Sequence, residues 1–458
     1  MNLCKDGMNL TSDPIPKLVR SIAIPASVGM FFQTMYNFVD TYWAGRVSTE
    51  GLAALTFSFP VFFVVIAVGS GLGQATTALL GNAIGSGHPE RARQLFCQAL
   101  LLCGIATVAM TTAGLLGSQS LFEIQNAKGN ALELALQYMN VIMSGAGFFL
   151  IQTVLNAELN ARGNTKVYRN ALIAGFVANC ILDPWMLNGG LGMPALGMAG
   201  LAWATIVCQV GTCLYLMRHV ARGPLWKEVR KVHFRPAVNE IGQILTQAVP
   251  AGFNMLTVAA GIFVIQSFVA RYGDAPVAGY GIATRVEQML LLPTMGLNYA
   301  VLSVVAQNFG AQRFDRIRQT WHTTLRFGLG MIVPAGIVLW FTRHQLVSIF
   351  SNEPVVIAHG SDYLGLASFT MAAYVILFQT VFLLQGLKQA SISLWVGLYR
   401  QIVAPLCVFP LLAVSLDLKQ WGVWWGVTVV TWSAALVTFA IGRRLTSQLL
   451  STHDPQGT

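Results

Sequence analysis

Long apolar runs separated by short polar segments recur along the whole chain. A run of 18 or more apolar residues is typical of a membrane-spanning helix, because about 20 residues are needed to cross the hydrocarbon. We predict twelve such spans, near residues 17–45, 51–81, 94–116, 131–160, 167–188, 196–217, 241–270, 276–307, 320–342, 360–387, 392–416 and 421–442. The pattern therefore predicts an all-α polytopic membrane protein with twelve transmembrane helices.

Composition supports this class and excludes a soluble protein. The chain has 458 residues, of which 55% are hydrophobic and only 10% are charged, whereas soluble domains carry about 25% charged residues. The polar segment before the first span lacks a short apolar stretch and a small-residue cleavage site, so we expect this span to be retained. The seven cysteines show no metal-like spacing and lie mostly inside apolar spans, which favours plain packing.

The distribution of basic residues predicts the orientation of the spans. The two terminal segments and the even-numbered connections hold 21 of the 28 lysines and arginines. The opposite connections hold five, namely Arg46, Lys128, Arg271, Arg343 and Lys419. The positive-inside rule then places both termini in the cytoplasm, and we predict a multi-pass protein of the bacterial inner membrane. The net charge of +10 faces anionic lipid through loops such as 218–240, so nucleic acid is not an expected partner.

The chain contains an internal repeat, in which its second half aligns with its first half at a constant offset. Pro25-Ala26 aligns with Pro250-Ala251, and ERARQ at 90–94 aligns with DRIRQ at 315–319. Each repeat holds six spans and begins in the cytoplasm, so two pseudo-symmetric lobes should be related by an axis along the membrane normal. The predicted regions are an N-lobe at 1–217, a cytoplasmic linker at 218–240, a C-lobe at 241–445 and a cytoplasmic tail at 446–458. Two such lobes are common in secondary transporters, which is an analogy at the level of the fold.

Two aspartates lie deep in the spans of the first repeat only. Asp40 aligns with Ile265 of the second repeat, and Asp183 aligns with Val408. Because the second repeat folds with aliphatic residues at both positions, packing alone would not require the acids. An ionisable residue inside the membrane is a functional-site hypothesis by default. The alternative is a hydrogen-bonded aspartate that only fixes helix packing.

Helical rise places the two acids and several polar residues in one layer. Asp40 is about 30 Å from Arg20 along its helix, and Asp183 is about 21 Å from Arg169. Thr205 lies about 12 Å below the outer end of its span. Further polar residues within one or two turns of the acids are Gln33, Tyr36 and Asn179. These groups suit a proton or Na⁺, and the candidate Na⁺ ligands are Asp40, Asn179, Asp183 and Thr205.

Proton binding follows from the cost of burying a charge. A carboxylate in hydrocarbon without a partner costs several kcal/mol, which favours its protonated form. A second carboxylate nearby increases this preference for the pair. Such a pair would load a proton when open to the outside and release it toward a less acidic cytoplasm.

Other residues inside the spans leave alternatives open. Pro25 permits a kink in the first span, but Pro250 repeats it, so the proline is either a hinge or a part of the architecture. Arg285 and Glu287 lie two residues apart and should not pair, and Arg400 has no obvious partner. These charges fit structural ion pairs and the wall of a substrate cavity equally well. The candidate cavity residues are Gln33, Arg285, Glu287 and Arg400.

Two kinds of enzyme motif are absent from the sequence. No phosphate-binding loop ending in Gly-Lys-Ser/Thr occurs, so the chain should not drive itself with ATP. No H-E-x-x-H motif occurs either. We therefore expect a protein that is not an enzyme and that needs no cofactor beyond a coupling ion.

The chain resembles the multidrug and toxic compound extrusion (MATE) family over nearly its whole length. The resemblance lies in the twelve spans, the duplicated lobes and four motifs, which are MFFQTMYNFVDTYWAGR after the proline of the first span, LNARGNT, NCILDP and GMAGLAWAT. It implies an antiporter that expels organic cations and drugs in exchange for H⁺ or Na⁺. We expect this antiporter to act as a monomer.

Within the family, the chain is similar to the branch with a cation site in the amino-terminal lobe (DinF-like). The seventh span has no acid, and neither does the middle of the tenth, which disfavours the branch with a carboxy-lobe site. The resemblance implies that helix bending occurs at Pro25. It also implies a coupling network formed by Tyr36, Asp40, Asn179 and Asp183. Tyr138 and Asn156 match polar positions near this network, and Thr205 matches a cation ligand of the family.

Two rival functions make different demands on the charged residues. A flippase for a lipid-linked saccharide would favour a cationic cavity that holds pyrophosphate. The deep acids oppose this function, whereas Arg285 and Arg400 are compatible with it. In a receptor or scaffold that transports nothing, Asp40 would be purely structural.

Overall fold

The structure is a computed structural model that describes residues 8–190 and 192–451. Within these residues every regular element is a helix, apart from an isolated bridge between Gly190 and Met193. Among the described residues, eleven helices are long and apolar enough to cross a membrane, and a pair of helices that meet at a 44° bend counts as a twelfth span. The prediction of an all-α protein with twelve spans is confirmed.

The helices follow the predicted spans and extend beyond several of them. The first repeat contains α1 (Ile15–Val47), α2 (Thr49–Gly85), α3 (Pro89–Ile124), α4 (Gly129–Ser144), α5 (Ala146–Ala161), α6 (Lys166–Asn188) and α7 (Gly197–Ala221). The second repeat contains α8 (Val238–Val269), α9 (Asp274–Gly310), α10 (Phe314–Ser348), α11 (Pro354–Gly386), α12 (Ala390–Leu398), α13 (Ala404–Phe409) and α14 (Lys419–Ser451).

Two spans are interrupted where the sequence predicts continuous helices. The fourth span bends at Gly145, between α4 and α5. The eleventh contains two π-helical segments, Tyr399–Val403 and Pro410–Ser415. Pro405 and Pro410 lack the N–H that would continue the α-helical hydrogen-bond pattern. Hydropathy measures the length of an apolar run and does not detect such changes of backbone pattern.

The end of α14 also differs from the prediction. The helix continues to Ser451, so the first part of the predicted tail at 446–458 is helical. Helices often extend past the hydrocarbon into the aqueous layer, where an apolar window no longer detects them. Residues 452–458, like residues 1–7 of the predicted N-lobe, lie outside the described part of the chain.

The chain forms two compact units that do not coincide with the two repeats. Unit 1 contains Val28–Gly252, and unit 2 contains Leu10–Ser27 together with the described residues from Phe253 onward. The sequence predicts a boundary at the linker 218–240, but the first half of α8 belongs to unit 1. Likewise, the first half of α1 belongs to unit 2. Each repeat therefore contributes half a helix to the unit built mainly from the other repeat.

Two equivalent glycines allow these half-helices to pack closely. In unit 2, Gly296 of α9 lies against Ser27 so tightly that an added Cβ would overlap it. In unit 1, Gly71 of α2 lies in the same way against the backbone of Gly252. Small residues at helix contacts let the backbones approach. The two glycines align with one another in the internal repeat, so the repeat preserves this contact.

The predicted linker 218–240 folds against α3 within unit 1. It contains two short 3₁₀ turns. The Gln98 Nε2 donates to the carbonyl oxygens of His233 and Arg235, both at 2.8 Å. The Gln98 Oε1 accepts a hydrogen bond from the backbone N–H of Ala237 at 3.2 Å. One buried amide therefore fixes three backbone groups of the linker.

Candidate cation site in unit 1

The two predicted acids of the first repeat are both buried in unit 1. Asp40 lies on the second half of α1 and is 7% exposed, and Asp183 on α6 has no exposed surface. Asn179 lies one turn before Asp183 on the same face of α6 and is also fully buried. Two carboxylates and an amide therefore occupy a region from which water is excluded.

The Asn179 side chain connects the two carboxylates. Its Nδ2 donates one hydrogen bond to Asp40 Oδ1 at 3.1 Å and one to Asp183 Oδ1 at 2.7 Å. Both amide hydrogens are used in this way, because a primary amide carries two N–H donors. The amide thereby joins α1 to α6 through a buried polar bridge.

Three further predicted residues surround this bridge. Thr205 on α7 is buried beside Asp40 and Tyr36. Its hydroxyl donates to Leu201 O at 3.1 Å, which leaves oxygen lone pairs for another partner. Tyr138 on α4 lies near both carboxylates. Four helices of unit 1, α1, α4, α6 and α7, therefore contribute polar groups to one site.

Several buried oxygens at this site have no hydrogen-bond partner. They are the Tyr36 hydroxyl, Asn179 Oδ1 and Asp183 Oδ2. A buried polar atom without a partner costs about 1–3 kcal/mol, so such a cluster suggests a proton, an ion or an ordered water. No group of three or more His, Cys, Asp or Glu residues suited to a metal occurs in the described residues. A Na⁺ ion here would be held by two carboxylates together with amide and hydroxyl oxygens.

The structure does not bring the remaining first-repeat predictions into the bridge. The Asn156 Oδ1 on α5 is buried without a partner, and no hydrogen bond joins it to either aspartate. Gln33 on α1 is exposed. Pro25 is buried inside α1 and belongs to unit 2.

In unit 2 the predicted charged residues are separate from one another. Glu287 on α9 is 5% exposed, and its Oε2 accepts a hydrogen bond from the Tyr363 hydroxyl at 2.9 Å. Arg285 is exposed and Arg400 is half-buried. No carboxylate in the described residues lies within 4 Å of either guanidinium, so the structural ion pairs considered as an alternative do not form. Arg285 and Glu287 form no ion pair with one another in the described residues.

Two site residues were missed by the sequence analysis. Cys208 on α7 lies beside Tyr36. It is three residues after Thr205, so helical spacing could have identified it. Tyr363 aligns with Tyr138 in the internal repeat, and each tyrosine lies near a buried acid of its own unit. The repeat could therefore have predicted a polar partner for Glu287.

The comparison with family models reproduces the duplication. The MatE family model matches the chain twice, over residues 25–185 and 250–409. The two matches begin at Pro25 and Pro250, which are aligned in the repeat. Together they cover more than half of the chain and both copies of the six-span unit.

Individual proteins and a solved structure agree with this match. The chain is 28% identical to the FAD transporter of Shewanella oneidensis over 418 residues, 90% of each chain. It is 27% identical to the probable multidrug resistance protein YoeA of Bacillus subtilis over 358 residues, 75% of this chain and 76% of that one. The structure of an outward-facing multidrug resistance MATE family transporter superposes with a TM-score of 0.90, 26% identity and coverage of 98% of this chain and 99% of that chain. With its twelve spans and its two matches to the family model, the chain belongs to the MatE family and is a multi-pass membrane transporter, not an enzyme.

Proposed function

We propose that this protein is a secondary antiporter that exports organic cations and drugs in exchange for a cation bound in unit 1. The observation that supports this most directly is the single amide of Asn179, which bridges the buried carboxylates of Asp40 and Asp183. The multidrug resistance names of several relatives support drug export. The ion gradient supplies the free energy, and no further cofactor is needed.

We propose H⁺ as the coupling ion. Two carboxylates in a region of low permittivity cannot both be charged without a large cost, so they exchange protons as a pair. Asn179 occupies one oxygen of each carboxylate, and Asp183 Oδ2 remains for a proton. Na⁺ is the alternative ion, and it would need the oxygens of Asn179 and Thr205 in addition to the carboxylates.

The expected setting is the inner membrane of a bacterium, with the protein acting as a monomer and with both termini in the cytoplasm. The basic residues concentrated in the terminal segments and even-numbered connections support this orientation. In this orientation the pair of acids lies in the outer half of its helices, where it can take up a proton from the more acidic side.

A second substrate class is favoured by one relative and one residue. The Shewanella protein is named an FAD transporter, and the similarity covers 90% of both chains. Arg400 is half-buried in the eleventh span and makes no ion pair with the described residues. We therefore propose flavin nucleotides as a second candidate substrate besides organic cations.

Transport of ethidium by proteoliposomes tests the coupling site. We expect the wild type to move ethidium under an imposed pH gradient and not under a Na⁺ gradient, and Asp40→Asn to lose this movement by at least tenfold. The amide is similar in shape to the carboxylate but cannot bind and release the proton. A suitable control is Asp274→Asn, because Asp274 is an exposed acid at the first position of α9.

The outcomes separate the alternatives. Movement under the Na⁺ gradient alone would make Na⁺ the coupling ion at the same site. Equal movement by the wild type and Asp40→Asn would contradict a coupling role and leave Asp40 structural. If neither gradient drives ethidium through the wild type, the antiporter proposal fails for this dye, and a lipid-linked saccharide becomes the next substrate to test.

A further inference from the structure

We propose that Arg400, Tyr374 and Phe378 form a subsite in unit 2 that binds the anionic group of an aromatic substrate. The subsite deepens the proposed function and rests on it, because it assumes that the protein transports small organic molecules. The proposed function does not say where a substrate binds, and the subsite names three binding residues and the chemistry of the ligand. Binding can be measured without any ion gradient.

The depth of Arg400 in the membrane is the first observation. The eleventh span runs from Ala390 to Ser415, so Arg400 lies about 15 Å from its inner end and about 22 Å from its outer end. The hydrocarbon is about 30 Å thick, and a residue so far from both ends is beyond the reach of lipid phosphates. An arginine at such a depth marks a path or a site for a polar ligand by default.

The guanidinium lies close to two aromatic rings. Its Cζ lies 5.3 Å from the ring centroid of Tyr374 and 5.8 Å from that of Phe378. The two rings lie one turn apart on α11, and their planes differ by only 12°. The two rings therefore stack on one another beside the cation. A guanidinium that contacts aromatic rings through its face keeps N–H edges available for an anion.

Arg400 also lies at a local change in the helix backbone, the π-helical segment Tyr399–Val403. A π-helical segment changes the direction in which side chains leave the helix, and such segments are frequent at functional sites. The backbone pattern is therefore a second, independent feature of this position.

Within residues 8–190 and 192–451, the guanidinium has more N–H donors than hydrogen-bond partners. The neutral hydroxyl of Tyr374 is its polar neighbour, whereas arginine carries five N–H donors. The Glu287 carboxylate is close enough to attract Arg400, but it lies beyond the 4 Å of an ion pair. A carboxylate or phosphate group can accept two parallel hydrogen bonds from an arginine. The free edge of Arg400 therefore matches the anionic group of a ligand.

The two rings beside Arg400 can also contact the aromatic part of a ligand. Tyr374 and Phe378 are half-buried, as Arg400 is, so part of each ring remains accessible. An aromatic ring of the substrate can pack against them while its anionic group meets the guanidinium. The subsite therefore fits an aromatic anion.

Binding of two fluorescent flavins tests this subsite. Riboflavin 5′-phosphate and riboflavin share the same ring and differ in one phosphate, so their difference reports the anionic contact. With the purified full-length protein in nanodiscs, we expect the phosphate form to bind at least tenfold more tightly, which is about 1.4 kcal/mol. We expect Arg400→Gln to abolish this difference and to leave riboflavin binding unchanged.

Two further variants make the result specific. Arg400→Lys keeps the charge but loses the planar fork, so it should retain only part of the preference for the phosphate form. Arg343→Gln removes another arginine of unit 2 that stacks on a ring, with its Cζ 4.1 Å from the Trp340 ring centroid. It lies near the end of α10 and should retain the full preference. Thermal unfolding checks that each variant is folded. If Arg400→Gln does not fold, Arg400→Lys still tests whether the guanidinium is needed for the preference.

The proposal is contradicted if the wild type binds both flavins equally or binds neither. It is also contradicted if Arg400→Gln keeps the preference for the phosphate form, or if Arg343→Gln loses it to the same extent. Ethidium transport separates these results from the proposed function. If the wild type prefers the phosphate form but moves no ethidium under either gradient, the subsite proposal is supported and the antiporter proposal is contradicted. If the wild type moves ethidium but binds both flavins equally, only the subsite proposal is contradicted.

Discussion

At the scale of single residues, the chemistry of unit 1 depends on one amide. Asn179 supplies two N–H groups, and each is directed at a different carboxylate. An aspartate at this position would add a third acid, and a leucine would remove the donor that the two carboxylates share. The amide is therefore suited to hold two carboxylates close together, as the proposed exchange of a proton requires.

We predict that Asn179→Ala destabilises the protein and stops coupled transport. The substitution removes two buried hydrogen bonds to charged or chargeable groups, so the unfolding free energy should fall by about 1–3 kcal/mol. Thermal unfolding in detergent and ethidium transport under a pH gradient measure the two effects. A matched control is Asn188→Ala on the same helix, because Asn188 is exposed and its side chain donates a hydrogen bond to Pro184 O, within its own helix. An Asn179→Ala protein that matches the wild type in both assays would contradict the bridge.

The sequence predicts some residues of the two units and not others, for a physical reason. Asp40 and Asp183 are recognisable because a charge deep in an apolar span is costly, and the other repeat has aliphatic residues there. The Tyr363 partner of Glu287 and the rings beneath Arg400 are not recognisable in this way. Aromatic residues are common in spans, and only the rotation of neighbouring helices decides which of them meet.

At the scale of elements, α1 and α8 are each divided between the two units. The division follows Ser27 in α1 and Gly252 in α8, two residues after Pro25 and Pro250 respectively. A proline inside a helix removes one backbone hydrogen bond and allows a change of direction. The two prolines therefore mark the points at which the helices pass from one unit to the other.

We predict that Gly296→Ala destabilises unit 2. The new methyl group would overlap the backbone of the first half of α1 near Ser27, and backbone atoms can move only with strain, so a loss of about 1–3 kcal/mol is expected. Gly281→Ala is the control, because it makes the same substitution on the same helix with no atom within 4 Å of the new Cβ. This control should be neutral or slightly stabilising. Chemical unfolding in detergent compares the two variants, and equal stabilities would argue against the close contact.

The spans themselves were predicted well, because each needs only a sufficient length of apolar residues. The sequence does not predict the two π-helical segments of the eleventh span, although Pro405 follows the first segment closely and Pro410 begins the second. Proline can kink a helix, end it or be accommodated by a neighbouring chain. The choice depends on the packing around it, which a single sequence does not contain.

At the scale of the whole molecule, the segment that connects the repeats is part of unit 1. Gln98 holds the linker 218–240 through hydrogen bonds to three backbone groups. A further contact joins His233 Nε2 of the linker to Glu90 Oε1 of α3 at 2.6 Å. A segment held in this way should resist proteases, although it contains six basic residues. The basic residues of the linker are evident from the sequence, but the side chains that anchor it are not.

We predict that Gln98→Ala exposes the linker to trypsin. The variant leaves two carbonyl groups and one N–H of the linker without their partner, so local opening should become more frequent. Cleavage within 218–240 should be at least several times faster than in the wild type, as measured by mass spectrometry of the fragments. Gln119→Ala on the same helix is the control, because Gln119 is exposed and its side chain donates a hydrogen bond to Glu123, one turn along the same helix. Unchanged cleavage rates for Gln98→Ala would show that other contacts hold the linker.

The exchange of half-helices has a consequence for the order of biosynthesis. A ribosome completes the first six spans before it reaches Val238, yet unit 1 is not complete until Gly252 has been made. The segment Leu10–Ser27 acquires its packing partner even later. The α9 surface that packs against Ser27 belongs to the second repeat and is synthesised after Gly252. The N-terminal half of α1 therefore lacks its packing partner during most of translation. The insertion machinery or lipid must cover its apolar surface until α9 has been synthesised.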